Sequence, residues 1–299
     1  MTPADLEIRK NHFYKPRIWQ QGQPGYVGGK NGNPFVVKNH LELKNAQRVL
    51  FEANVLEYTW GGFSQKGAAI LLTPSNQSGT CPRCQVTDIT IRYSTISHVG
   101  AGLVVANGAY PGAVPLAGER YSVHDLVVDD VNGTAYNGPG LFAQVSRSPG
   151  APLLRNVSFN HITAFAPEFL LWVGSDLLMG NFVVSNSIVN AGLHPIASTG
   201  GTWNCANGGV PIVTLTACFS PYLVTYNALV AAGSDPSSIW PAYNFFPTSA
   251  AAVQFVNFNN GNGGNYQLLS GSAYKNAASD GKDIGADIDA VETAITGVY

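Results

Sequence analysis

A short pattern recurs along the chain: an apolar residue, two positions, then Asn, Asp or Ser, one position, and a second apolar residue. It reads Ile8-Arg-Lys-Asn11-His-Phe13, Phe51-Glu-Ala-Asn54-Val-Leu56 and Ile91-Arg-Tyr-Ser94-Thr-Ile96. Further copies are centred on Asp129 (Leu126 to Val131), Asn160 (Val157 to Ile162), Asn186 (Val183 to Ile188) and Asn227 (Val224 to Leu229). Upstream of the polar residue the apolar positions alternate, as in Leu6/Ile8, Val49/Phe51 and Ile89/Ile91, which is strand periodicity. Small polar residues suit a sharp corner, because they bond local backbone and tolerate left-handed conformation. Stacked on successive turns, Asn11, Asn54, Ser94, Asp129, Asn160, Asn186 and Asn227 are expected to form one side-chain ladder along an axis.

These polar positions stand 26 to 43 residues apart, too unevenly for a strict helical repeat array. A constant strand–corner unit with loops of variable length fits better. The expected fold is all-β: a single-stranded right-handed parallel β-helix with long loops at 14–36, 59–85, 104–120, 133–152 and 190–220. An antiparallel sandwich is set aside because the Asn-Gly pairs do not fall at regular hairpin spacing. A doubly wound α/β fold would need amphipathic helices between strands, and none is visible. The chain reads as one domain over 1–299, with coils and loops over 1–248 and a C-terminal strand, tail and cap over 249–299. Val253-x-Phe255 reads as the last strand. Ile288, Val291 and Ile295 have helical spacing, with Asp287 near the start and Gly297 at the end, and predict a helical cap on the stack. Residues 1–16 already read as a coil. The chain is therefore expected to be the C-terminal part of a longer protein, with an open edge that invites end-to-end self-association.

Charged residues make up only 11% of the chain, against about 25% in ordinary globular proteins, and the net charge is −2. A general nucleic-acid binder is excluded by that neutrality, and disorder by the 45% hydrophobic content. No apolar run reaches the roughly 18 residues of a membrane helix. Charge is uneven, however: residues 1–92 carry +5 and the remainder −7. In the expected register Arg9, Glu52 and Arg92 occupy one outward position on three successive turns, so an ion ladder is predicted. The four cysteines, Cys81, Cys84, Cys205 and Cys218, fit two local disulfides, Cys81–Cys84 and Cys205–Cys218. Free thiols and a metal site are the alternatives, although the second pair lacks C-x-x-C spacing. No secretory signal is visible at Met1 to Asp5, so export would use a segment outside this chain.

Four stretches carry a family likeness: Glu7 to Pro16, Leu41 to Leu50, Leu72 to Gln77 and Asp280 to Asp287. Through them the chain resembles the right-handed β-helix repeat proteins of the pectate-lyase-like superfamily, closest to secreted members from soil bacteria such as acidobacteria. The resemblance implies an extracellular, carbohydrate-directed protein whose partner is a polysaccharide, with neither nucleic acid nor membrane involved. It further implies cleavage of the lyase or glycoside-hydrolase type as the activity to look for. The family's hydrolase motifs are missing, and Ser97-His98-Val99-Gly100 is a poor counterpart of one of them. Asp129-Asp130 is the only adjacent acidic pair, and Asp129 is read as a corner residue. The lyase route leaves Lys10, Lys38, Lys44, Arg48 and Arg92 on the basic third.

Aromatic residues fall mainly in the expected loops: Trp19, Tyr26, Trp60, Phe63, Trp203, Trp240 and Tyr243. Trp60-Gly-Gly-Phe63 is the first choice for a sugar-stacking platform, with Lys38, Lys44 and Arg48 as its substrate-binding cations. No catalytic set is assembled and no metal site is predicted. Calcium at Asp280, Asp283, Asp287 and Asp289 is the single cofactor left open. The other reading is a non-catalytic structural or adhesive surface solenoid.

Overall fold

The computed structural model describes residues 1–35, 37–63, 65–108, 113–198, 204–206 and 208–299. Trp203 lies outside them. The chain forms β1 (Ala4–Arg9), β2 (His12–Tyr14), β3 (Leu41–Leu43), β4 (Ala46–Glu52), β5 (Val55–Thr59), β6 (Gly61–Gly62), β7 (Gln65–Lys66) and β8 (Ala68–Leu72). It continues through β9 (Val86–Val99), β10 (Ala101–Asn107), β11 (Gly118–Val128), β12 (Leu141–Arg147), β13 (Arg155–Ala164) and β14 (Phe169–Gly174). Then come β15 (Gly180–Ser185), β16 (Ile188–Asn190), β17 (Ile196–Ser198), helix α1 (Pro211–Cys218), β18 (Tyr222–Thr225) and β19 (Ala228–Val230). The C-terminal part holds α2 (Pro236–Ile239), α3 (Ala250–Val253), β20 (Phe255–Asn257), β21 (Asn265–Leu268) and α4 (Ile288–Ile295).

Two long parallel sheets account for the body. One runs β1-β4-β9-β11-β13-β15-β18, flanked by β2-β5 and β16-β19, and the other runs β17-β14-β12-β10-β8-β3. The chain visits the first sheet, then the second, and each visit pairs in parallel with the one before. That order is compatible with a β-helix solenoid. The second sheet lies largely inside segments expected to be loops: β8 falls within 59–85, β12 within 133–152, and β17 with α1 within 190–220. Its strands, such as Ala68–Leu72, are short apolar runs buried on both faces, which lack the alternation that marks a half-exposed strand. Side chains from the two sheets interdigitate in one core that includes Phe51, Ile70, Leu103, Val123, Phe142 and Leu171.

The corner column differs in part from the expected one. Asn11 N donates to Asn54 Oδ1 and Asn54 N to Ser94 Oγ, each at 3.0 Å. Beyond that point the register pairs Ser94 with Leu126 and Leu126 with Ile162, so Asp129 and Asn160 are not corner residues. The polar ladder resumes at Ser187, whose Oγ accepts from Ile162 N, and continues to Asn227 and Asn244. Asn186 precedes the corner and Asn160 pairs with Ser185. The constant feature is instead the backbone just before the corner. Lys10, Ala53, Tyr93, Asp125, His161, Asn186 and Tyr226 all have φ between +47° and +57°. The bend is therefore made by a left-handed residue, and the polar side chain after it satisfies neighbouring amides where one is present. Where Leu126 and Ile162 stand, β11 and β13 run unbroken through the position.

A second left-handed column, Asp5, Arg48, Asp88, Arg120, Asn156 and Asn181, has φ from +51° to +60°. Arg48 pairs with Asp5, Arg120 with Asp88, and Asn181 with Asn156 across adjacent turns. The row Arg9–Glu52–Arg92 is in register, with Glu52 taking Arg9 at 3.5 Å on one side and Arg92 on the other.

Residues after Ser249 do not cap the end of the stack. Phe255 opens an antiparallel hairpin with β21, and α4 packs against β9 and β11, in the middle of the first sheet. The reason is apolar: Val127, Phe165, Ile188 and Val230 cluster with Phe255, Tyr266, Ile284 and Ile288. Asp287 caps α4 by accepting from Ala290 N. The segment is stitched to several turns, through Gly285 N to Asn186 O, Ala286 N to Thr163 Oγ1, Asp287 N to Asp125 Oδ1, and the Tyr299 ring beside His12. Disulfides join Cys81 to Cys84 and Cys205 to Cys218, with Cα separations of 5.3 and 5.1 Å.

Asn54 is fully buried and its amide also donates to Ile8 O and Glu52 O. Asn54→Leu is expected to lower stability by about 1–3 kcal/mol in urea denaturation, because Asn11 N, Ile8 O and Glu52 O lose a partner. Peptide mapping without reduction is expected to recover the Cys205–Cys218 pair joined within one loop. Replacing both with Ser should cost about 3 kcal/mol in the chain-entropy account of a loop this long.

Candidate functional site

A short ribbon and a tight turn build a pocket on the flank of the stack. β6 and β7 pair as a two-stranded antiparallel ribbon that carries Trp60 at its base and Phe63 at its tip. Beside it the turn after β11 is shaped by Asn132, whose Oδ1 accepts from Ala135 N at 2.8 Å. The ribbon and turn touch so closely that a Cβ on Gly61 would sit 1.9 Å from the Asn137 carbonyl oxygen, so only glycine permits the approach. Gly61 N donates to Tyr136 O, and Asn137 Nδ2 to Gly61 O. The segment from Arg17 to Gln23 closes the third side, with Gln20 Nε2 donating to Ala135 O at 2.9 Å. Between them lies a cavity of about 620 Å³ lined by Arg17, Gln20, Gln21, Gln23, Phe35, Trp60, Phe63, Thr134 and Asn137.

Behind the Arg17 wall stands an acid–base network. Glu57 pairs with Ser97, Thr59 with Val99, and Val99 with Val131, so Tyr58, His98 and Asp130 occupy equivalent positions on three turns. All three have positive φ, which turns their side chains out of the sheet together. His98 Nδ1 bonds Asp130 Oδ2 at 2.6 Å, and the Tyr136 hydroxyl donates to the same oxygen at 2.9 Å. His12 Nε2 bonds Glu57 Oε2 at 2.6 Å, while His98 Nε2 stands 3.9 Å from Glu57 Oε1, outside hydrogen-bond range. Tyr58 stacks on His98 at 4.5 Å, and the Arg17 guanidinium lies 5.0 Å from the Tyr136 ring centroid and 5.8 Å from that of Tyr58.

Burial lowers the proton affinity of His98, but the hydrogen bond and charge of Asp130, with Glu57 behind, outweigh it and raise the pKa above its ordinary value. Burial raises the Tyr136 phenol, and Asp130 raises it further. Below the network, His40 is pushed down to about 3 by burial and by the Lys15 charge, and its ring bonds Glu57 O as a neutral donor. Lys15, itself lowered to about 8 by burial, donates to Lys38 O. The ensemble can hold, donate and accept a proton close to whatever occupies the pocket.

The residues singled out from sequence divide sharply. Trp60 and Phe63 both border the pocket, but Trp60 is only 5% exposed and packs on Val37 and Tyr136, so its ring face is not a stacking platform. Phe63, 59% exposed, is the aromatic offered to solvent. Lys38 and Lys44 both pair with Glu42, and Arg48 pairs with Asp5 in the second ladder, away from the pocket lining. Asp129 instead anchors the C-terminal hairpin through Tyr266 Oη and Gly263 N, its carboxyl raised by burial against those two bonds. The tail acids are each engaged: Asp280 with His161, Asp283 with Lys275, Asp287 at its helix cap, and Asp289 with Gln267. Among the described residues no group of three or more His, Cys, Asp or Glu is arranged to hold a metal ion. A second cavity of about 580 Å³ lies beside these acids, bordered by His161, Tyr266 and Lys282. The pocket amides were missed in the sequence, where Gln20-Gln21-Gly22-Gln23 gave the only signal, a cluster of amides in an expected loop.

Because His98 owes most of its raised pKa to Asp130, Asp130→Asn is expected to lower its titration midpoint, followed by NMR of the ring protons, as burial is then opposed only by the weaker pull of Glu57 and Asp129. The same linkage sets the pH window of stability. The His98–Asp130 contribution is complete below the unfolded value of about 6.5 and is lost as pH rises through the higher folded value. Asp130→Asn should flatten that slope. Compared with protein-family models, curated proteins and solved structures, the chain matches none, so the site stands on its own geometry.

Proposed function

We propose that the chain is a secreted right-handed parallel β-helix of the pectate-lyase-like kind that binds an extracellular polysaccharide in the pocket between the Arg17–Gln23 segment, the β6–β7 ribbon and the Asn132–Gly138 turn. The observation that carries the reading is the pocket's chemistry. Side-chain amides that both donate and accept hydrogen bonds stand beside an exposed aromatic ring, which is what a hydroxyl-bearing ring with an apolar face requires. The right hand is supported by the parallel crossovers, which take that hand in about 98% of cases. Two disulfides support an oxidising compartment. No helix among the described residues is long and apolar enough to cross a membrane. The His98–Asp130 pair supplies acid–base groups one side chain away, so binding and cleavage are tested together.

A panel of soluble polysaccharides, read by affinity electrophoresis and by reducing ends and unsaturated products, tests the reading. At least one polymer is expected to retard the protein, and Phe63→Ala to weaken that binding about ten-fold, or about 1.4 kcal/mol. A protein that binds none of them would instead be a structural or adhesive surface solenoid. The pairing of Asp5–Arg48 and Asp88–Arg120 along one face is the observation favouring that outcome. Sedimentation at rising concentration would then test end-to-end association through the outer edge of β1.

A further inference from the structure

The two disulfides differ in what holds their cysteines together. Cys81-Pro82-Arg83-Cys84 is a complete β-turn, with Cys84 N donating to Cys81 O at 3.1 Å and proline at the second position, where its fixed φ suits the turn. Both ends are anchored without the bridge: Cys81 N donates to Asn76 Oδ1 at 2.6 Å, Leu116 N to Cys84 O, and Gln85 N to Asn45 Oδ1. Opening the S–S bond therefore leaves both cysteines in the same turn, and a bridge across a separation of 3 constrains the unfolded chain little. The Cys205–Cys218 bridge spans a separation of 13, and Cys218 is fully buried in the main core. That bridge is a staple, and the first is not.

Access separates the two sulfurs of the turn. Thr80, Pro82 and Arg83 are exposed and Cys81 is half-buried, whereas Cys84 is only 4% exposed. Arg83 makes no ion pair among the described residues, so its guanidinium is left to attract an incoming anion. Neither the pocket nor the acid–base network uses this pair. We infer that Cys81–Cys84 is a redox-active disulfide that exchanges with small anionic thiols, and that attack falls on Cys81. An external thiolate adds to Cys81 Sγ as the Cys81–Cys84 bond breaks. The electron pair of that bond leaves on Cys84 Sγ, which takes a proton from water. A second thiolate attacks the external sulfur of the mixed disulfide, departs with it as a small-molecule disulfide, and leaves Cys81 reduced. Two external thiols are thereby oxidised and the protein pair is reduced. The reverse sequence, with a small-molecule disulfide as oxidant, closes the bridge again.

The test incubates the whole chain with reduced glutathione or with the cationic thiol cysteamine, quenches with iodoacetamide, and follows labelled cysteines by peptide mapping. With glutathione, Cys81 and Cys84 are expected to label at least about ten-fold faster than Cys205 and Cys218. Circular dichroism of the protein reduced at that pair alone should show the fold unchanged. The attacked sulfur is read by treating Cys84→Ser and Cys81→Ser with oxidised glutathione. Cys81 in the first variant should form the mixed disulfide at least about ten-fold faster than Cys84 in the second, through its greater access. At low salt Arg83→Glu should slow exchange with glutathione about three-fold and quicken it with cysteamine. Equal labelling of the two bridges, or unfolding when the turn is reduced, overturns the inference by making Cys81–Cys84 a second staple. Faster reaction at Cys84 overturns the assigned sulfur. Rates indifferent to Arg83→Glu overturn the preference for anionic thiols. Labelling of the unsubstituted chain decides between exchangeable bridge and staple even where a variant fails to fold.

Discussion

Every turn of this chain must bend at the same place, and it does so by putting one non-glycine residue per turn into the left-handed region. For an L-residue that conformation costs roughly 1–2 kcal/mol, and it recurs at seven successive turns from Lys10 to Tyr226. Parallel strands hold register only if neighbouring bends coincide, because a slip of one residue would exchange the buried and exposed faces. The cost is offset by the hydrogen bonds of two parallel sheets and by a core running the length of the stack. Repetition of the same device elsewhere on each turn then sets the surface. It spaces Asp5, Arg48, Asp88 and Arg120 so that opposite charges alternate, and it turns Tyr58, His98 and Asp130 outward together.

This constraint explains which parts of the fold could be read from residues alone. Alternation before the corner is visible wherever one face of a strand meets solvent, so β1, β4 and β9 are legible. The polar corner residue is legible at Asn11, Asn54, Ser94 and Asn227, where its side chain bonds a neighbouring turn. It is not legible at Leu126 and Ile162, because the bend is a backbone property and a buried apolar residue fills the same place. The nearest small polar residues that fit the sequence pattern there, Asp129 and Asn160, lie off the corner. The second sheet was hidden for a related reason: strands buried on both sides show composition without period.

The site was legible in position more than in composition. Trp60 and Phe63 both border the pocket, but of the platform expected from the pair only Phe63 is offered to solvent, since Trp60 serves as packing. The basic residues were misleading because a count of charges along the chain ignores the partner that register brings from 43 positions away, as for Arg48 and Asp5. Gln20 was invisible because its place in the pocket wall depends on Ala135, whose carbonyl takes its Nε2 from 115 positions away.

A stack of turns in which each touches only its neighbours behaves as a one-dimensional chain of weakly coupled units, free to fray from either end. The C-terminal segment removes that freedom. It shares an apolar cluster with Ala228 and Val230, bonds Asn186, Thr163 and Asp125 in turn, and reaches His12 through Tyr299. Such a lengthwise suture makes the first turn's loss inseparable from contacts on the seventh, so local opening at the pocket end is coupled to the far end of the molecule. The protein should exchange its amide hydrogens as one large cooperative unit, and the pocket inherits the rigidity of the whole stack instead of that of the few turns that form it.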